Sequence, residues 1–227
     1  MKLFRITKSR AFTLVELLVV IAIIGILAAI VMPAISTALL RGKVLAVSAN
    51  GRSLYQMLIQ KQTESIYTTT STFWPIKGAN DPGKGEFQNS TDYFKYMVTN
   101  GTMNVAFSFF AAPGIPSAGG AGDFEADNNA WMITSDAENL PETTPLFMTK
   151  NLGTAFTELN GTIPVEGDRF NGTGQPFGNQ AFVFTTRGGA SYSLIKDDLR
   201  MGSFTNIFNR TDSNGDEIDN EILQPGT

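Results

Sequence analysis

Between Phe12 and Met32 the chain runs for 21 residues in which every side chain is apolar or small except that of Glu16. A helix needs about 20 such residues to cross a bilayer, so this run constrains the fold before any other feature does. Lys2, Arg5, Lys8 and Arg10 precede it with no acid among them. That asymmetry predicts a cytoplasmic N-terminus and places the rest of the chain on the far side of the membrane. A carboxylate in a membrane helix costs about 2.5–3.5 kcal/mol near the centre and less near the end, where Glu16 stands, and such residues usually have a partner and a role. Three readings compete. A secretory signal peptide has a shorter apolar core of roughly 7–15 residues. A plain signal anchor fits length and charge but gives Glu16 nothing to do. The third is a segment that leaves the bilayer and packs against copies of itself.

Composition narrows the chemistry open to the rest of the chain. There is no cysteine and no histidine, which excludes disulfides, thiol nucleophiles, Ser-His-Asp triads and His- or Cys-ligated zinc. Any metal is then held by oxygen, which points to calcium or magnesium. Beyond residue 11 there are 13 basic and 21 acidic side chains. Phosphate binding needs clustered Lys and Arg, so nucleic acid is not an expected partner.

The stretch Ala11-Phe12-Thr13-Leu14-Val15-Glu16 resembles the prepilin peptidase site of bacterial type IV pilins and type II secretion pseudopilins: a basic leader, a small residue, then Phe-Thr-Leu-x-Glu and an apolar helix. Gly25 and Pro33 also stand where many pilins have a glycine and a proline. Ala11 departs from the glycine usual before the cut; alanine is the nearest residue in size. The resemblance implies cleavage after Ala11 and N-methylation of Phe12. Phe12 and Glu16 lie four residues apart, on one helix face. In a filament the amine of Phe12 would pair with Glu16 of a neighbour, which makes the buried carboxylate far less costly and sets the axial register. The resemblance further implies a bacterial inner-membrane protein, single-pass, with a periplasmic head. Its partners would be itself, the prepilin peptidase, other pseudopilins and the inner-membrane assembly platform.

Pro33 removes a backbone donor and clashes with the carbonyl four residues back, which predicts a kink or a melted stretch around residues 29–33. Beyond it Ile35, Leu39, Leu40, Val44, Val47, Leu54, Met57 and Leu58 recur at helical spacing. Phe12 to about Glu64 is therefore expected to form one helix of roughly 80 Å, its rear half laying an apolar stripe on the head. Gly42 and Gly51 predict slight bends. The expected organisation is a leader (1–11), a membrane and assembly helix (12–33), its amphipathic continuation (34–64) and a loop-rich head (65–227).

The expected fold class is α+β and pilin-like: a long N-terminal helix packed on a small antiparallel sheet with long loops. Residues 181–186 and 190–195, joined by Arg-Gly-Gly, read as a hairpin. Residues 131–134 and 145–149 read as strands. Residues 89–99 read as a short helix capped by Ser90 or Thr91, with Tyr93, Phe94 and Met97 inward. Residues 113–122 read as a flexible loop. Asn-Gly-Thr at Asn100, Asn160 and Asn171 is read as turn rather than glycosylation sequon. Phe107, Phe109 and Phe110 read as core.

Near the C-terminus Asp212, Asn214 and Asp216 alternate as the first ligands of a calcium loop do, with Asp219 or Glu221 to close the shell. Glu217 and Leu223 stand where an EF-hand has glycine and glutamate, so this is not an EF-hand. Two readings stay open: an irregular loop holding a structural calcium ion, as many major pseudopilins do, or a solvated acidic tail. No constellation for catalysis accompanies Asp197-Asp198, so an enzyme is not expected. The leading expectation is a filament subunit, most like a type II secretion pseudopilin. The alternatives are a minor or competence-type pilin whose head binds a ligand, and a membrane-anchored enzyme.

Overall fold

The computed structural model describes residues 12–65, 74–137, 140–151, 174–199 and 222–226. Two compact units divide the chain, Met1–Gly42 and Lys43–Thr227, and each is described by itself. Helix α1 covers Leu14–Ser65. In the first unit it is a bare helix; in the second its later turns lie on a sheet.

The second unit holds a two-stranded parallel pair, β1 (Ile76–Lys77) with β2 (Glu86–Phe87). Helix α2 (Ser90–Thr99) comes next. Then come β3 (Trp131–Thr134), β4 (Pro145–Thr149), β5 (Ala181–Thr186), β6 (Ser191–Ile195) and β7 (Ile222–Leu223). These five form one antiparallel sheet in the order β6-β5-β4-β3-β7. This is the expected α+β class, consistent with a pilin-like fold. The β5–β6 hairpin turns through Arg187–Ala190, where Thr186 donates to the Ala190 carbonyl at 2.8 Å. Every residue of β3, β4 and β5 is buried, so both faces of the central strands are covered. That explains runs such as Ala-Phe-Val-Phe, which are apolar without alternation.

The stripe that α1 lays on the sheet begins later than expected. Val44, Val47, Ser48, Gly51, Leu54 and Leu58 are buried, whereas Ile35 and Leu39 are exposed. At Gly51 the helix lies close against the sheet. A Cβ there would stand 2.5 Å from Thr185 Oγ1 and 3.1 Å from Trp131 Cη2. The glycine thus serves close packing, a reason beyond the bend expected of it. Beside it the Ser48 and Ser191 hydroxyls meet at 2.8 Å.

The cap of α2 is Asn89, one residue before the expected Ser90 or Thr91; its side chain accepts from the Asp92 amide at 2.8 Å. The two hydroxyls are used elsewhere. Ser90 Oγ donates to the Trp131 carbonyl at 2.7 Å and Thr91 Oγ1 to the Pro225 carbonyl at 2.6 Å. Tyr93, Phe94 and Met97 are buried as expected. Asn100 caps the other end and Gly101 comes after it at φ 71°, so this Asn-Gly is a turn; Asn160 and Asn171 lie outside the described residues. Phe107 and Phe110 are core and Phe109 is half-buried, with Phe110 against Phe94 at 4.8 Å. The loop at 113–122 sinks Ile115 and Ala118 into the head, and its Pro116 carbonyl accepts from Asn128.

Candidate functional site: the start of the N-terminal helix

From Leu14 to Met32 all the large apolar side chains are between 48% and 79% exposed, on every side of α1. A helix that is apolar all round needs an apolar surround, lipid or other helices. Its mean hydropathy reaches 3.1, and by length and composition it can cross a membrane.

Glu16 is tied to the first turn. Thr13 donates to Glu16 Oε2 through its amide and through its hydroxyl, each at 2.8 Å, and the Glu16 amide donates back to Thr13 Oγ1 at 3.2 Å. Thr13 is thus the N-cap and Glu16 the third helical residue of a reciprocal capping box. The signal is present in the sequence as Thr13-x-x-Glu16, although the cleavage motif by itself assigns Thr13 no role. A capping carboxylate also sits favourably at the positive end of the helix dipole. Both bonds from Thr13 use Oε2, which leaves Oε1 uncommitted among the described residues.

Phe12, 83% exposed, directly precedes this cap. Ala11, on the other side of the expected cut, lies outside the described residues. Pro33 is inside α1, and residues 29–33 are helical throughout, so the expected melted stretch is not present. One lost hydrogen bond does not open a helix that continues for many turns on both sides. The Pro33 carbonyl instead accepts two side-chain bonds from the next turn, from Ser36 Oγ at 2.9 Å and Thr37 Oγ1 at 3.1 Å.

Asp212, Asn214, Asp216, Asp219 and Glu221 all lie outside the described residues. Among the described residues no group of three or more metal-type ligands comes together. The strand just after Glu221, β7, is anchored by protein contacts. It pairs with β3, and the Gln224 carbonyl after it accepts from the Ser90 amide at 2.8 Å.

Residues 6–32 match the family description "Prokaryotic N-terminal methylation motif". Comparison with the curated proteins and with the solved structures gives no match. The motif supports a type IV pilin-like chain, processed by prepilin peptidase and assembled with other pilin-type subunits. It covers the end of the leader and the apolar run, and points to a membrane-anchored structural subunit.

Proposed function

We propose that this chain is a structural subunit of a type IV pilus-like filament, most like a pseudopilin of a type II secretion system. The observation that carries the reading is Glu16. It is the one ionisable side chain in the apolar run, and it is held at the helix start with Oε1 uncommitted. Cleavage after Ala11 leaves the amine of Phe12 as the cation this oxygen takes from a neighbour. Both charges are then buried opposite each other instead of alone. The basic leader supports a cytoplasmic N-terminus before cleavage and a periplasmic head. The absence of cysteine supports the pseudopilin side, because many adhesive pilins close a C-terminal loop with a disulfide. Asp212, Asn214, Asp216, Asp219 and Glu221 belong to the proposal as ligands of a structural calcium ion, supported by their spacing.

One feature favours the minor or competence-type alternative. A cleft of about 440 Å³ lies between the last turns of α1 and the loop after α2, lined by Met57, Gln60, Lys61, Val98 and Met103 among others. A ligand-binding head would use it.

The deciding experiment is the mass and first residue of the protein from its native membrane, with Glu16→Gln beside it. The expected chain begins at N-methylated Phe12. Glu16→Gln keeps a side chain able to close the capping box but loses the charge, so it is expected to be processed and membrane-bound yet to yield no filaments. An intact Met1, or filaments from Glu16→Gln at the normal level, would overturn the reading.

A further inference from the structure

Past Pro33 the helix stays uncharged as far as Leu40, and then come Arg41 and Lys43. Both are exposed, and neither has an interaction partner among the described residues. Between Glu16 and Arg41 stand 24 uncharged residues. At 1.5 Å per residue the two charges are about 38 Å apart along the helix. A bilayer is about 30 Å across its hydrocarbon and about 40–45 Å with its headgroups. The two polar residues in the later part of that interval, Ser36 and Thr37, turn their hydroxyls onto the Pro33 carbonyl, so they add little polarity to the segment. Ile35 and Leu39 remain 52% and 61% exposed, and burial against the sheet starts only at Val44.

We propose that Arg41 and Lys43 grip the phosphate groups of the phospholipid leaflet at the C-terminal end of the span and thereby set the depth of α1 in the membrane. The inference rests on the membrane-anchored reading above. Length places the two cations at headgroup level when Glu16 is at the opposite surface. Charge selects phosphate, and the long stems of both side chains let the heads reach it while their methylenes stay against lipid. Interfacial Arg and Lys are anchors that set how a span is seated. Processing sharpens the effect. Cleavage after Ala11 removes Lys2, Arg5, Lys8 and Arg10, so in the mature chain the basic side chains that flank the span are those at its C-terminal end. The basic side chains then hold the subunit at that end, and the other keeps only the Phe12 amine.

Spin labels test this cleanly because the chain has no cysteine of its own. Full-length Ile24→Cys, Leu39→Cys and Leu45→Cys would be labelled in vesicles of phosphatidylethanolamine and phosphatidylglycerol. Collision with oxygen, which prefers lipid, is compared with collision with a water-soluble nickel chelate. The expected result is oxygen preference at 24 and 39 and nickel preference at 45. Arg41→Gln with Lys43→Gln is expected to draw position 45 into lipid, cutting its nickel preference several-fold, while the Arg41→Lys, Lys43→Arg exchange leaves it unchanged. A position 45 that is lipid-facing from the start, or that ignores the loss of both charges, overturns the proposal. So does a position 45 shielded from both reagents at high protein density and released on dilution, which would assign the cations to another copy's acidic head. Nickel preference at position 24 would instead remove the membrane reading itself, and this inference with it.

Discussion

At the residue scale Glu16 has two separable tasks. As a cap it satisfies the Thr13 amide at the helix start; in the proposed filament its charge would pair with a neighbour's amine. Thr13→Ala removes the reciprocal half of the box, worth about 1 kcal/mol at a helix start, and keeps the charge. Processing should then be normal while filament yield falls in part, and Thr13→Ser should restore it; quantifying sheared filaments checks both. A second residue reports on stability against pH. Partial desolvation raises the carboxyl of Asp136 above its ordinary 3.8, but the residue is exposed, in a left-handed turn at φ 48°, so solvent keeps the effect small. The folded state still prefers the protonated acid. That contribution is fully present below pH 3.8 and is lost as pH rises through the folded value. Asp136→Asn, which also tolerates this backbone, should match the parent in Tm below pH 3.8 and exceed it slightly at neutral pH.

The element that couples sequence to fold most directly is α1. Over its second part the buried positions are spaced as a helical stripe, and Gly51 lets the helix come down onto β3 and β5. Gly51→Ala forces its Cβ into Thr185 Oγ1 and the Trp131 ring. Overpacking of this kind costs about 1–3 kcal/mol, so a lower Tm of the purified chain is expected. Thr185→Ala in the same chain should recover part of the loss because it removes the nearest atom. Helix α2 makes a related point about polar residues. Asn129 bonds the hydroxyls of Ser90 and Thr91 and takes the Trp131 amide, which draws those hydroxyls away from capping and leaves the cap to Asn89.

For the whole molecule, a protein without disulfides needs other means to hold its C-terminus. Strand β7 and the Gln224 and Pro225 carbonyls supply one, on β3 and on the start of α2. The proposed calcium ion would act just before this strand and add to it. Calcium should then raise Tm in a concentration-dependent way by mass action, and a chelator should lower it; Asp212→Ala with Asp216→Ala should abolish the response. A Tm indifferent to calcium assigns 212–221 to the solvated tail.

The sequence by itself determined whatever depends on local order: a helix long and apolar enough to span a membrane, from a run interrupted only by Glu16; the cleavage motif, from adjacent residues; the β5–β6 hairpin, from two β-prone runs around Arg-Gly-Gly. The helix register on the head was legible too, because a 3.6-residue period survives any tertiary arrangement. The tertiary structure alone decided where that stripe begins, since Ile35 and Leu39 have the same pattern as Val44 but stay exposed among the described residues. It decided that Asn89 rather than Ser90 or Thr91 caps α2, because a hydroxyl bonds whichever acceptor the fold brings to it. It also decided that Gly51 is a contact point, which comes from the approach of Thr185 and Trp131 and not from any neighbour in the chain. The Thr13–Glu16 box stands between the two. It is local in sequence, yet a lone carboxylate in an apolar run directs attention to a distant cation and away from the backbone three residues before it.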